Sequence, residues 1–307
     1  MDWTTAWSPS SWTSSRRRRR PEPQARRPAG LAIMVLLSAP FDPCPTRRVG
    51  PVRRSGILAA TATLGLIAIG LAMEMRGGWL RDIGQGVASA AVHGGFLAAG
   101  WIIAVRPSAW HAPMIHSGGV LLLASVTSRF SAWGALLYVL SPVLLVREGV
   151  RYSAVRAMGL GAAAGLRHVV LGLAAGTFLG VHLLISACLT YGYAVRVGSL
   201  GQYLAAVAYD VGANALTAEW LFRGALFSRW WQRWEFWPAA GLSTALAVAR
   251  YLLDPVLPPP IEARAGAVFY IALLGFSACA LRAGSGSLLP GYVAAVVFFA
   301  AYRMLAQ

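Results

Sequence analysis

Ala218-Glu219-Trp220-Leu221-Phe222-Arg223-Gly224 places a Glu and an Arg four residues apart inside an otherwise apolar run. A charge in a membrane span costs about 2.5 to 3.5 kcal/mol on insertion scales, so intramembrane charges mark functional sites by default. Glu219 precedes Arg223 in i, i+4 spacing, the favourable order for a helical ion pair. Two readings of the pair stand side by side. One is site geometry that holds a substrate or partner polypeptide. The other is a self-neutralising pair, joined by a neighbouring helix, that lets the scaffold fold.

The surroundings decide the class. The 307 residues are 57% hydrophobic and only 12% charged, with a mean hydropathy of +0.58. A soluble chain carries about 25% charged residues. Apolar segments long enough for about 30 Å of hydrocarbon recur along the chain, which predicts an all-α, polytopic transmembrane bundle of eight to nine spans. Every one of the 27 basic residues is Arg, a bias that a G+C-rich genome explains without a function. Cys44, Cys188 and Cys279 have neither metal-ligand nor disulfide spacing.

Residues 1–54 differ from the rest, with the run Arg16 to Arg20, further Arg pairs and scattered Pro, and are expected to be disordered. A basic arm on anionic lipid or nucleic acid, a topogenic cytoplasmic tail and a start codon assigned too far upstream are the three readings. Leu31 to Leu37 is too short, and lacks a clean cleavage site, for a signal peptide.

From Gly56 the predicted spans are 56–74, 84–105, 112–128, 131–147, 168–190, 202–227, 237–253, 265–282 and 287–304. The third and fourth are short and could form one hairpin or a re-entrant element. With the N-terminus cytoplasmic, Arg106, Arg147, Arg151, Arg156, Arg167, Arg229, Arg233 and Arg282 fall inside, as the positive-inside rule requires. The expected location is the cell (inner) membrane. Gly172, Gly176 and Gly180 form a small-xxx-small ridge, suited to an internal packing seam or a dimer contact. Trp230, Trp231, Trp234 and Trp237 with Arg229 and Arg233 read as an interfacial belt, not as a nucleic-acid surface.

Three short patterns in the C-terminal half carry a resemblance. The first is the opening stretch, ending Phe222-Arg223-Gly224. The second is Leu246 with Arg250, and the third is Gly286-Ser287-Leu288-Leu289-Pro290, followed by Ala295 and Phe299. Residues 165–304 resemble the CPBP family, which groups CAAX-type prenyl endopeptidases with bacteriocin-processing and immunity membrane proteins. The family patterns are EExxxR running into FRG, FxxxH, and a His with an Asn four residues later. Against them this chain has Ala218 at the leading Glu, Arg250 at the first His, Ala295 at the second His and Phe299 at the Asn. Residues 55–164 add spans with no motif of their own.

The resemblance implies a carboxylate base that activates water and imidazoles that position it and stabilise the oxyanion. Ala218 and Ala295 offer neither, and Arg250 is always protonated. No His follows His182, so no shift of register restores the motif histidines, and no zinc site is expected. No catalytic set is intact, with Glu219 and Arg223 the candidate remnants. No metal and no cofactor are expected.

Asp210, Asn214, Thr217 and Ala218 share one face of an ideal helix. His182 reads as a hydrogen-bonded packing residue, and His93, His111, His116 and His168 lie outside the resembling core or at its edge. Arg250 could snorkel to the headgroups, bond Asp254, or reach Asp210 or Asn214 across the former cavity. The expected function is a catalytically impaired scaffold that binds a membrane segment or peptide, with the bilayer and a transmembrane or peptide partner as its surroundings and no nucleic acid. The alternatives are an active intramembrane endopeptidase with Glu219 as base and, ranked last, a transporter or channel.

Overall fold

The computed structural model describes residues 53–104, 111–252 and 261–306. Leu31 to Leu37, Cys44, Arg106, Asp254 and the Arg-rich N-terminal segment lie outside them, except that Arg53 and Arg54 begin the first helix. The order is α1 (Arg53–Met75), α2 (Gly78–Ala104), α3 (His111–Phe130), α4 (Ala132–Gly149), short α5 (Ser153–Ala157) and α6 (Leu166–Tyr191). Next come α7, continuous from Leu200 to Trp231, α8 (Phe236–Leu252), α9 (Ile261–Ser285) and α10 (Leu289–Tyr302). A two-residue ladder pairs β1 (Ala194–Val195) with β2 (Leu305–Ala306) and ties the segment after α6 to the end of α10.

The chain is an all-α membrane helical bundle. Each of the nine predicted spans coincides with one helix. Five stretches are long and apolar enough to cross a membrane: Gly56–Met75, Gly78–Ala104, Ala132–Gly149, Leu166–Tyr191 and Arg264–Ser285; Leu289–Tyr302 is apolar but shorter. The third and fourth predicted spans are separate packed helices, the fourth beginning as a 3-10 turn at Ala132–Val139. Exposed Leu64, Phe178 and Leu189 show the inverted logic of a bilayer solvent, in which the outer surface is as apolar as the core.

Two buried clusters meet on α7. One joins Leu97 and Trp101 of α2, Leu121 of α3 and Tyr138 of α4 to Ala218, Trp220 and Phe222. The other joins Leu179 and Leu183 of α6, Tyr251 of α8, Ile271 of α9 and Phe298 of α10 to Ala215. From Gly212 to Ala225 every residue of α7 is buried, so this helix is the axis of the bundle.

The glycine ridge of α6 faces inward. A β-carbon at Gly176 would lie 2.5 Å from the Ala294 carbonyl oxygen of α10, and one at Gly172 would strike the Pro290 carbonyl. Only glycines allow the two backbones this approach, so the ridge is an internal seam that holds α10 in place. At the aromatic belt Trp230 stacks on Trp234 and Trp231 on Phe227, while Trp234 and Trp237 stay exposed.

Candidate functional site

The axis helix is not α-helical throughout. Asp210–Asn214 and Glu219–Phe227 are π-helical, and between them Ala215–Ala218 makes one α turn. A π turn inserts an extra residue per hydrogen-bonded ring and re-aims the side chains, and such bulges concentrate at functional sites. The single face expected for Asp210, Asn214, Thr217 and Ala218 is therefore split. Asp210 and Asn214 turn toward α8 and α10, whereas Thr217 turns toward α2.

On the first side a chain of charge-assisted hydrogen bonds crosses three helices. Arg303, just past α10, grips the fully buried Asp210 with both tines of its fork, Nε to Oδ2 at 2.8 Å and Nη2 to Oδ1 at 3.0 Å. Asn214 Nδ2 donates to Asp210 Oδ1 at 2.9 Å, and Arg250 Nη1 donates to Asn214 Oδ1 at 2.6 Å. Among the described residues, Arg250 makes the reach across to Asn214; the alternative partner Asp254 lies outside them. Its guanidinium carbon also stands 4.2 Å from the Tyr251 ring centre and 5.8 Å from that of Phe96, a cation–π setting.

A cavity of about 50 Å³ opens beside this chain, lined by Tyr209, Asn214, Tyr251, Phe299, Tyr302 and Arg303 among others. It has room for a few waters or a small head group.

On the second side α2 supplies what the C-terminal half lacks. The His93 ring, buried in the bundle, places Nδ1 3.0 Å from Thr217 Oγ1 and Nε2 2.8 Å from the Tyr209 hydroxyl. Phe96 packs 6.1 Å from Phe222, ring centre to ring centre, and reaches toward Arg250. His93 thus sits against the core, at the residue preceding Ala218, and not outside it. No motif announces it. Its only sequence signal is an imidazole within an apolar span, which needs partners. His182 does bond as a packing residue, its Nδ1 2.5 Å from the Tyr270 hydroxyl and 3.2 Å from Ser186 Oγ.

Glu219 and Arg223 form a separate group. Oε1 and Nη1 are 3.5 Å apart, and both side chains are almost wholly buried. Glu219 Oε2 lies 3.0 Å from where a β-carbon of Gly291 would stand, and Arg223 Nη2 lies 2.7 Å from that of Gly275. The Cys279 thiol adjoins the guanidinium. Two glycines on α9 and α10 therefore make room for the pair, neither member of which lines the cavity.

The remaining motif positions are apolar packing. Ala218 shares a cluster with Phe222 and with Ala247 of α8, and Ala295 packs with Ala215 and Phe298. The Phe299 ring is 5.4 Å from that of Tyr251 and lines the cavity. The helices bearing Ala218, Arg250 and Ala295 do meet, with α7 between the other two. Among the described residues, no three His, Cys, Asp or Glu side chains gather as a metal site would require.

These features define a membrane helical bundle whose axis helix carries two buried charged groups. Residues 200–300 match the family model described as Type II CAAX prenyl endopeptidase Rce1-like. The match runs from the start of α7 through most of α10, and this segment is of the CPBP family, as the motifs resembled. Neither a curated protein nor a solved structure matches the chain.

Proposed function

We propose that this protein is a catalytically silent CPBP-type scaffold that binds a membrane segment or peptide through its core, taken as residues 165–304. In this reading it resides in the cell (inner) membrane with its N-terminus cytoplasmic. The observation that carries the proposal is the state of Arg250. At the position where the family pattern has an imidazole, a guanidinium is bonded to Asn214 and flanked by two rings. An always-protonated group can stabilise charge and donate hydrogen bonds but cannot take a proton from water. Beside it, Ala218 has no atom able to act as base.

The rival reading, Glu219 as base, is less well supported. Its carboxylate is paired with Arg223 at 3.5 Å and faces Gly291, and Glu219 is not among the residues lining the cavity. A buried carboxylate beside a guanidinium is held by that cation, which favours an ion-pair role. The purified protein in lipid nanodiscs, given prenylated and unprenylated apolar peptides, is expected to leave them uncut while retaining them in a pull-down. Cleavage that disappears in Glu219→Ala would overturn the proposal.

A further inference from the structure

The outward face of α6 carries an imidazole that the bundle satisfies on one nitrogen only. His182 sets Nδ1 2.5 Å from the Tyr270 hydroxyl of α9 and 3.2 Å from Ser186 Oγ, while its Nε2 has no partner among the described residues. The residue is exposed. It lies about 24 Å from the start of α6 and about 14 Å from its end, too deep for the ring to reach the head groups. A ring nitrogen left without a partner in hydrocarbon is costly, and such a residue marks an intramembrane contact by default. The glycine ridge of the same helix is taken up by α10, so whatever meets His182 comes from outside the bundle. Around it Leu171, Phe178, Ile185 and Leu189 are exposed as well. With the half-buried Ala175 they recur, His182 included, in alternating steps of four and three residues. That spacing is the seam of a parallel helix pair, and it lies about 140° around α6 from the glycine ridge.

We propose that this seam is the contact of a two-fold dimer, in which α6 packs in parallel on α6 of a second copy and the two His182 rings hydrogen-bond through Nε2. A two-fold axis along the bilayer normal brings residues of equal depth together, so His182 meets its own counterpart. Two identical groups can bond only if each can serve as donor or as acceptor. The partners of Nδ1 permit this, because Tyr270 and Ser186 both offer hydroxyls, which donate to a bare nitrogen or accept from a protonated one. In one copy Nδ1 accepts a hydroxyl hydrogen and Nε2 carries the ring proton. In the other Nδ1 carries the ring proton and Nε2 accepts. Both rings stay neutral, so no charge enters the hydrocarbon. A single polar residue at a central seam position fixes register and the number of helices, which a purely apolar seam would leave open. The inference goes beyond the scaffold reading and concerns the outer face of the bundle, so a monomeric protein would leave that reading untouched.

The test is energy transfer between donor- and acceptor-labelled copies of the full chain, reconstituted together in phosphatidylcholine liposomes over a range of protein-to-lipid ratios. Wild-type transfer is expected to saturate and to fall when unlabelled protein is added. His182→Leu should move the midpoint to an about tenfold higher protein-to-lipid ratio, the worth of one interhelical hydrogen bond in lipid. His182→Asn, whose amide both donates and accepts, should stay close to the wild-type midpoint, which a merely apolar contact would not require. Disulfide trapping answers for the case in which these variants fail to fold. In a Cys44→Ser/Cys188→Ser background, Ile185→Cys on the seam is expected to give a cross-linked dimer, whereas Val181→Cys, exposed but beside the seam, is not. An unmoved midpoint in His182→Leu, or trapping at Val181→Cys in place of Ile185→Cys, would overturn the proposal. Wild-type protein that stays monomeric at every ratio would overturn it too, and would leave Nε2 to a different transmembrane helix.

Discussion

Two charged groups on one buried helix meet the same difficulty in different ways. Glu219 finds its partner four residues along the chain, and two glycines on neighbouring helices close around the pair. Asp210 finds its partner 93 residues away, in Arg303, and the bonds run on through Asn214 to Arg250 on a third helix. The first group is local, neutral and sealed. The second is long-range, carries a net positive charge and borders a cavity. Buried charges by themselves thus say little about where a ligand goes; what separates the two groups is whether their charges sum to zero and whether space adjoins them.

The sharpest way to break this contrast is to remove one partner from each. Arg303→Met leaves the Asp210 carboxylate buried with only Asn214 for company, and breaking such a pair costs about 3–5 kcal/mol. The double variant Asp210→Asn/Arg303→Gln removes both charges and is expected to recover most of that loss, as thermal unfolding in mild detergent would show. Glu219→Ala strands Arg223 in the same way, but the 3.5 Å contact is longer and single, so about 2–3 kcal/mol is expected. Glu219→Leu/Arg223→Met should return to wild-type stability or above, because burying the pair is itself unfavourable. If Glu219→Ala proved more damaging than Arg303→Met, the local pair and not the long chain would be the stabilising centre.

A third variant probes the frame that keeps the two groups apart. Gly176→Ala sets a methyl group 2.5 Å from the Ala294 carbonyl oxygen, which the backbone of α10 can relieve only by moving. Overpacking of this kind costs about 1–3 kcal/mol. Because α10 carries Gly291 against Glu219 and ends at Arg303, both groups should loosen together, visible as faster amide exchange in α10 and at Asp210.

How far the chain could be read in advance follows from the same contrast. Nine apolar segments were legible because hydropathy over a span is a sum, insensitive to detail, and all nine are helices. The Glu219–Arg223 pair was legible because both partners lie within one helical turn. The family segment was legible through short words such as Phe222-Arg223-Gly224, which residues 200–300 bear out. Arg303 carried no signal, since a lone Arg at the end of the last span looks like any interfacial charge, and its partner is 93 residues away. The π turns at Asp210–Asn214 and Glu219–Phe227 were invisible because tertiary packing, not residue type, selects them, and they undid a face drawn at 100° per residue. His93 was passed over because the resemblance begins after it, although the bundle folds α2 back onto α7.

That last contact gives the smallest and most local test. His93 joins the N-terminal helices to α7 through Thr217 and Tyr209. Thr217 retains its hydroxyl bond to the Ala213 carbonyl at 2.7 Å when the imidazole is lost, so the penalty of His93→Leu falls mainly on the Tyr209 hydroxyl. About 1–2 kcal/mol of destabilisation is expected. A double-mutant cycle with Thr217→Val should return a coupling energy of about 0.5–1.5 kcal/mol, as for residues in direct contact. A coupling of zero would mean that α2 is held to the axis helix by Leu97, Trp101 and Trp220 alone, where the indole Nε1 already donates to the Leu97 carbonyl at 3.2 Å. The polar side of α7 would then consist of the Asp210 chain only, and His93 would be a satisfied core residue with no bearing on the cavity.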